Sequence, residues 1–355
     1  MTIDSVQFLE DIVTIRSHST EEQEVTQFIT GRMAKWGYSN THVDAAGNAV
    51  GSRETPDENG NITNEIVLLG HIDTVPGVVP VRREDGKLYG RGSVDAKGPF
   101  AAFTVAGAQA TLPAGTRIVV IGATEEEAPS SKGAHYVRDQ YSPDLCIIGE
   151  PSGWDGITLG YKGVILIDYR LDQEMGHTAG PEVSVAEQAV NFWNTLNDYA
   201  TEFNEGKTKL FDQVLPSIRN FNTSTDGITD SAVMRLGFRL PPDFDKSDLA
   251  TLAEAHKGSA DIVIGDQTHA WHGKRTNKLA KAFSRAILKE GGKPRPKLKT
   301  GTSDMNVVGP KWQCPIIAYG AGDSTLDHTP HEHVVIDEYL KAVRVVQSVL
   351  ENSIK

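Results

Sequence analysis

The feature that most constrains the fold of this sequence is a series of short apolar runs separated by helical patterns. Each run has the length and composition of a strand that is buried on both faces. The runs are "IVLLG" (66–70), "RIVVIGAT" (117–124), "DLCIIGE" (144–150) and "CPIIAYG" (314–320). Helices are predicted over 4–16, 20–36, 277–290 and 337–352, and a further strand over 41–51. This alternation predicts an α/β fold with a mainly parallel sheet and flanking helices.

The middle of the chain has a different pattern. Between about residues 161 and 273, strands and helices follow in the order βαββαβ, which is typical of a small α+β sandwich. The length of 355 residues is also more than one ordinary core needs. We therefore predict one α/β domain over 1–160 and 274–355, interrupted by an inserted α+β domain over 161–273.

Composition favours a globular protein in a reducing compartment. The chain is 39% hydrophobic and 23% charged, and no apolar run approaches the ~20 residues of a membrane helix. The first residues lack the basic and apolar regions of a signal peptide. Cys146 and Cys314 are isolated and do not suggest a disulfide framework. We therefore expect a cytoplasmic protein that does not bind a membrane.

Charge is distributed unevenly along the chain. The net charge of −12 argues against nucleic-acid binding. The segment 272–300 nevertheless holds seven lysines and three arginines against Glu290, a charge of +9 that leaves −21 on the rest. This segment is either a solvated helix face with a flexible loop or a binding surface for an acidic partner.

Several strands end on residues that could bind a metal. Ligands gather outside the carboxyl ends of the strands in open α/β sheets. Any single acid there is adequately explained as a loop residue or a helix cap. Together, the histidines and carboxylates form a nitrogen and oxygen donor set that suits zinc or a similar divalent ion. The candidates are His71, Asp73, Asp95, Glu125, Glu126, Glu127, Glu150 and His328.

The glycine-rich stretch "GRGSVDAKGP" does not match a nucleotide-binding loop. It has G-x-G without the third glycine of a dinucleotide site, and its Lys97-Gly98 is not the G-K-[ST] of a phosphate loop. Both nucleotide interpretations are rejected.

Seven motifs, in order along nearly the whole chain, carry a family resemblance. They are "GHIDTVPG", "YGRGSVDAKGP", "TEEEAPSSKGA", "GEPS", "MGHTAGP", "GTSDM" and "DHTPHEH". The chain resembles the zinc metallohydrolases typified by acetylornithine deacetylase and succinyl-diaminopimelate desuccinylase. Within that family it looks most like hydrolases that release lysine or ornithine from the amino-group carrier protein LysW. The resemblance implies a catalytic α/β domain, an inserted lid or dimerisation domain, and a homodimer.

The resemblance also implies two divalent ions, zinc or alternatively cobalt. His71 and Glu150 would bind the first ion, Glu127 and His328 the second, and Asp95 would bridge them. Asp73 would orient the His71 ring, and Glu126 would be the general base. A slip of one residue would exchange the roles within Glu125, Glu126 and Glu127. His331 and His333 are interpreted as residues outside the ligand set.

Other residues are expected to contact the substrate. His177 of "MGHTAGP" would stabilise the tetrahedral intermediate, in dimeric relatives from the neighbouring subunit, although a histidine after glycine is often only a loop residue. Arg239 would hold a substrate carboxylate, and Asp226 stands where relatives often have Asn. Asp304 of "GTSDM" would either meet a substrate amino group or cap a turn.

Three functions remain open from the sequence. The main hypothesis is hydrolysis of the amide that joins the C-terminal glutamate γ-carboxyl of an acidic LysW-type carrier to lysine or ornithine, with segment 272–300 steering the carrier. The first alternative is an N-acyl amino acid deacylase or desuccinylase that acts on a free small molecule. The second is a non-catalytic metal- or protein-binding module, which a complete set of ligands and base disfavours.

Overall fold

The computed structural model describes residues 3–177 and 180–352. The α-helices are α1 (Ser5–Thr14), α2 (Gln23–Lys35), α3 (Lys97–Gln109), α4 (Lys132–Gln140), α5 (Val185–Phe203), α6 (Ser247–His256), α7 (Lys278–Lys289), α8 (Asp304–Trp312) and α9 (Ile336–Glu351). The strands are β1 (Ser39–Val43), β2 (Ala49–Thr55), β3 (Asn64–His71), β4 (Arg82–Glu84), β5 (Lys87–Tyr89), β6 (Thr116–Ala123), β7 (Leu145–Gly149), β8 (Gly156–Tyr161), β9 (Gly163–Glu174), β10 (Leu215–Thr225), β11 (Thr229–Leu240), β12 (Asp261–Ile264), β13 (Trp271–His272), β14 (Arg295–Lys299), β15 (Ile316–Tyr319) and β16 (His333–Val335).

The chain divides into two compact units. One consists of the chain up to Gly160, Gly273–Leu298 and the chain from Ser303 onward. The other consists of Tyr161–His272 and Lys299–Thr302. The catalytic role of the first and the lid or dimerisation role of the second stay predictions.

The first unit is built on a mixed sheet with flanking helices, which confirms the predicted α/β class. Its strands lie in the order β1-β2-β6-β3-β7-β15-β8. The central strands β6, β3, β7 and β15 run parallel, whereas β1, β2 and β8 pair antiparallel. Parallel pairing is therefore confined to the centre of the sheet, where the continuous apolar runs lie.

Burial on both faces explains why these runs form the central strands. All residues from Ile66 to Leu69 of β3 are buried, as is every residue of β7. Helix α3, which is buried along nearly its whole length, contacts β3, β6 and β7. A strand covered in this way needs apolar side chains on both faces, which accounts for its lack of alternation.

The single strand predicted over 41–51 is wrong. The segment instead forms the hairpin of β1 and β2. Asp44 accepts hydrogen bonds from the backbone amides of Ala46 and Asn48, and Gly47 has a φ of +97°. A left-handed glycine next to a self-capping aspartate favours a turn over a continuous strand.

The second unit has the predicted βαββαβ order, as β9, α5, β10, β11, α6 and β12. Its antiparallel sheet has the order β10-β11-β9-β12. Helix α5 begins at a capping box in which Ser184 and Glu187 bond each other's backbone amides. Helices α5 and α6 cover a separate core, which includes Ile167, Phe192 and Leu236.

The described part of the chain has no helix with the length and apolar character that crossing a membrane requires.

Candidate metal centre

The candidate ligands meet because three adjacent strands are parallel. Strand β3 lies between β6 and β7, so the carboxyl ends of all three strands lie at one edge of the sheet. His71 is the last residue of β3, Glu126 and Glu127 follow β6, and Glu150 follows β7. The same edge therefore collects one imidazole and three carboxylates.

The His71 ring is buried and lies between two aspartates. Its Nδ1 atom is 3.4 Å from Asp73 Oδ1, and its Nε2 atom is 3.1 Å from Asp95 Oδ1. Burial alone would lower the pKa of His71, but hydrogen bonds to Asp73 and Asp95 raise it well above its usual range. The surroundings of the His71 Nε2 atom thus favour a positive charge.

Asp73 connects His71 to the turn after β6. Its carboxylate accepts hydrogen bonds from the Ser19 hydroxyl at 2.7 Å and from the amides of Glu126 and Glu127 at 3.1 and 3.0 Å. Burial tends to raise the pKa of Asp73, but its bond with His71 and these further bonds keep it below the usual value. One buried carboxylate therefore orients the imidazole and both neighbouring glutamates.

Asp95 lies between two histidines. Its Oδ1 faces His71 Nε2, and its Oδ2 is 3.2 Å from His328 Nε2. The same His328 nitrogen is 2.9 Å from Glu127 Oε1, and Asp95 and Glu127 raise the pKa of His328 to about 10. Ligand atoms of His71, Asp95 and Glu127 all lie within 4.8 Å of one another.

The three consecutive glutamates occupy different environments. Glu125 points away, because its carboxylate accepts a hydrogen bond from Ser130 Oγ at 2.6 Å and lies 3.4 Å from Lys132 Nζ. Glu126 Oε2 is 4.0 Å from His71 Nε2. Burial raises the pKa of Glu126 well above its usual range. The carboxylates of Glu150, Asp304 and Glu127 raise it further. Only Glu127 joins the donor group, and the catalytic roles stay predictions.

Two more buried carboxylates complete the cluster. Glu150 Oε1 is 4.0 Å from His71 Nε2. Asp304, the first residue of α8, is 2% exposed, and its Oδ1 has no hydrogen-bond partner among the described residues. Burial raises the pKa of Asp304 to about 7. Buried carboxylates crowded around imidazole nitrogens repel one another unless a cation compensates them, so this donor set fits a divalent metal.

The glycines of "GRGSVDAKGP" serve close packing. A Cβ atom on Gly98 would lie 2.3 Å from the Ser93 carbonyl oxygen, and Gly92 has a φ of +85° with the Thr74 side chain close by. This local crowding gives the loop that carries Asp95 a compact shape.

The remaining predicted site residues lie in the second unit. His177 is exposed in the chain after β9, and residues 178–179 of its motif lie outside the described residues. Arg239 on β11 donates to Thr302 Oγ1 at 3.1 Å. Asp226 accepts hydrogen bonds from the amides of Ile228 and Thr229, so it caps its own turn. The roles predicted for His177 and Arg239 stay predictions.

Sequence reasoning missed the residues that support the cluster from outside. Glu332 and Arg91 connect the loops that carry Asp95 and His328, and Lys97 donates to the carbonyl oxygens of Ile12 and Ile15. The sequence did contain a signal for Glu332, the H-x-P-x-E pattern that begins at His328. No role was predicted for this glutamate, because its burial depends on how the loops fold.

Comparisons with known proteins identify related sequences. Residues 67–352 match the model of peptidase family M20/M25/M40. The chain is 43% identical to a [LysW]-lysine hydrolase of Deinococcus radiodurans, over 97% of this chain and 95% of that protein. It is 39% identical to a putative [LysW]-lysine/[LysW]-ornithine hydrolase of Thermococcus kodakarensis, over 98% and 92%.

A solved structure shares the fold. The M20 family metallo-carboxypeptidase Sso-CP2 of Sulfolobus solfataricus superposes with a TM-score of 0.78 at 17% identity, covering 99% of both chains. The family resemblance that the seven motifs indicate is thus confirmed. The chain belongs to peptidase family M20/M25/M40 and is a hydrolase that acts on an amide bond.

Proposed function

We propose that this enzyme releases lysine or ornithine from the C-terminal γ-glutamyl linkage of an acidic LysW-type carrier protein, in lysine or arginine biosynthesis. The names of two relatives, at 43% and 39% identity over nearly the whole chain, support this substrate class. A reducing cytoplasm suits the proposal, because Cys146 and Cys314 are both free thiols.

The observation that carries the proposal is the convergence of His71, Asp95, Glu127 and His328. His71 and Glu150 would hold one divalent ion, Glu127 and His328 a second, and Asp95 would contact both. Zinc is the first candidate because imidazole and carboxylate ligands suit it, and cobalt is the alternative. Bound ions of this kind supply Lewis acidity and lower the pKa of a water molecule.

The proton transfers fall to Glu126. Its carboxylate would accept a proton from the attacking water and return it to the leaving amine. Asp73 would keep the His71 ring and the turn of Glu126 in place through the hydrogen bonds described above. His177 would stabilise the tetrahedral intermediate, supplied by the neighbouring subunit of a homodimer, and Arg239 would bind a substrate carboxylate.

Asp304 remains a candidate for the substrate amino group. The unbonded Oδ1 atom of its buried carboxylate supports this role. A buried acceptor without a partner is costly, and an ammonium group would satisfy it. Its place at the start of α8 also suits the alternative role of a turn residue.

The basic segment 272–300 has two parts with different contacts. On β14, Arg295 Nε donates to Asp155 Oδ1 at 2.9 Å and Lys297 donates to the Ser152 carbonyl, so these two cations have partners within their own unit. On α7, Lys281, Arg285 and Lys289 are exposed and have no carboxylate within 4.0 Å in the described part of the chain.

The basic residues of α7 form one stripe. With Lys278 they follow one another at spacings of three, four and four, which places them on one face of the helix opposite its buried residues. Such a stripe would attract an acidic carrier at a distance and would lose this effect in salt. We therefore propose the α7 stripe, rather than β14, as the carrier-steering surface.

The decisive experiment compares amine release from two substrates at matched concentration. The metal-reconstituted enzyme is given carrier-linked lysine or ornithine, and separately N-acetylornithine. A strong preference for the carrier adduct is the expected result. Preference for the acetyl compound would favour the small-molecule deacylase, and release from neither substrate by a metal-loaded protein would contradict both substrate proposals.

A further inference from the structure

Glu332 is a fully buried carboxylate with an unusual concentration of donors. Its Oε1 atom accepts hydrogen bonds from the backbone amides of Gly92, Val94 and Asp95, at 2.9, 3.0 and 3.2 Å. Its Oε2 atom accepts a hydrogen bond from Arg91 Nη1 at 2.7 Å. The carboxylate thus holds four donors from one five-residue stretch, ending at the amide of Asp95 itself.

Arg91 makes the reciprocal connection. Its Nη1 atom donates to the Thr329 carbonyl oxygen at 3.2 Å as well as to Glu332, so the guanidinium holds the residue that follows His328. The side chain of Arg91 is 13% exposed, and that of Glu332 is 1% exposed. Charge-assisted hydrogen bonds in such a shielded place are shorter and stronger than neutral ones.

The two loops joined in this way each carry a donor of the metal centre. Asp95 lies between β5 and α3, and His328 lies between β15 and β16. Neither residue is at the end of a central strand, so the pairing of the large sheet does not position it. The short pairing of β5 with β16 ends beside the clamp, as we call the contact of Arg91 with Glu332, and the Gly90 amide donates to the Glu332 carbonyl oxygen there at 3.3 Å.

We infer that Glu332 and Arg91 are positioning residues that hold the Asp95 and His328 loops together for metal binding. Apart from their bond to each other, the hydrogen bonds described above join these two side chains to backbone atoms on either side of the ligands, so they act through the backbone. The inference rests on the proposed metal centre. It adds that metal binding also requires Glu332 and Arg91, which are not ligands themselves.

The test is Zn²⁺ binding to the chelator-stripped, full-length protein, measured by calorimetry with a competing chelator. Glu332→Gln keeps the size of the side chain but places an amide group against Arg91. Arg91→Lys keeps the charge and loses the planar guanidinium group, whose Nη1 atom donates to both the Thr329 carbonyl oxygen and Glu332. Both variants should bind Zn²⁺ about ten- to a hundredfold more weakly, as expected for groups that orient ligands.

A matched control separates positioning from general stability. Glu290→Gln removes another carboxylate–arginine pair, in which Arg344 Nε lies 2.7 Å from Glu290 Oε2. Neither residue of this pair lies on a loop that carries a metal ligand. This variant should bind Zn²⁺ like the wild type. Excess Zn²⁺ should restore kcat in Glu332→Gln with KM unchanged, at a temperature at which circular dichroism shows the variant to be fully folded before the metal is added.

The outcomes distinguish this inference from the proposed function. If the folded Glu332→Gln protein binds Zn²⁺ as tightly as the wild type, the positioning role is wrong and the hydrolase proposal stands. If Glu332→Gln does not fold, as judged by circular dichroism, Arg91→Lys decides the question in the same way. If the wild type itself binds no divalent ion, the metal proposal fails and this inference fails with it.

Discussion

The metal centre brings together two groups of donors that the fold positions by different means. His71 is the last residue of the buried strand β3, and Glu127 and Glu150 come shortly after the ends of β6 and β7. Asp95 and His328 come from loops that are joined by the clamp of Arg91 and Glu332. The first group depends on hydrophobic packing of the sheet, which is spread over many contacts. The second depends on a few buried polar contacts.

Because of this difference, some substitutions should change the stability of the fold, and others should change the geometry of the metal centre. Loss of packing beneath the strand ends should lower the free energy of unfolding and leave the site intact as long as the protein is folded. Loss of a polar contact between the loops should instead change metal affinity. Four measurements test the comparison, from the largest expected effect to the smallest.

Replacement of the proposed base should give the largest effect. Glu126→Gln should lower kcat by about 10²–10⁴-fold, because a positioned general base contributes a factor of that size. The free energy of unfolding should not fall, since the change removes one of several crowded carboxylates. Steady-state kinetics and thermal melts check the two expectations.

The neighbouring glutamate is the matched control for that experiment. Glu125→Gln alters a carboxylate that contacts Ser130 and Lys132 instead of His71, so kcat should stay within about twofold. A large loss in Glu125→Gln with little loss in Glu126→Gln would mean that the roles are shifted by one residue.

Truncation beneath the strand ends should affect stability alone. Leu68→Ala removes a fully buried side chain from the centre of β3 and should lower the free energy of unfolding by about 2–5 kcal/mol. Below the melting transition, kcat should remain near that of the wild type. Leu288→Ala on α7, where the side chain is 61% exposed, is the control and should cost little. Weak Zn²⁺ binding by folded Leu68→Ala would contradict the proposed separation.

Metal removal should give an intermediate effect on stability. An ion that binds only the folded state at a concentration 100 times its Kd stabilises that state by about 2.7 kcal/mol. Melting curves with Zn²⁺ and after treatment with a chelator should therefore differ, and the difference should be smaller in His71→Ala. Identical curves for the wild type would argue against a metal centre held by these residues.

Charge reversal on the α7 stripe should give the smallest effect. Lys281→Glu with Arg285→Glu should raise KM for the carrier adduct several-fold at low salt, because steering acts mainly on the association rate. KM for N-acetylornithine should not change. The exposed pair Lys35→Glu with Lys311→Glu on other helices controls for net charge. Equal changes with both substrates would remove the stripe from the proposal.

Much of the molecule could be predicted from local patterns. The apolar runs of β3, β6, β7 and β15 identified the central strands, because strands covered on both faces need continuous hydrophobic sequence. The histidine and acids that follow those runs identified the strand-end donors, since parallel neighbours must end at one edge. The order of strands and helices in the second unit could likewise be predicted from its sequence pattern.

The tertiary structure decided what depends on distant segments. The antiparallel edges of the sheet and the different directions of Glu125 and Glu127 follow from packing that no local pattern encodes. The clamp is the clearest case, because Arg91 and Glu332 are separated by 241 residues along the chain. By itself the sequence determined which residues could bind a metal, and the folded chain determined how the loop donors are held.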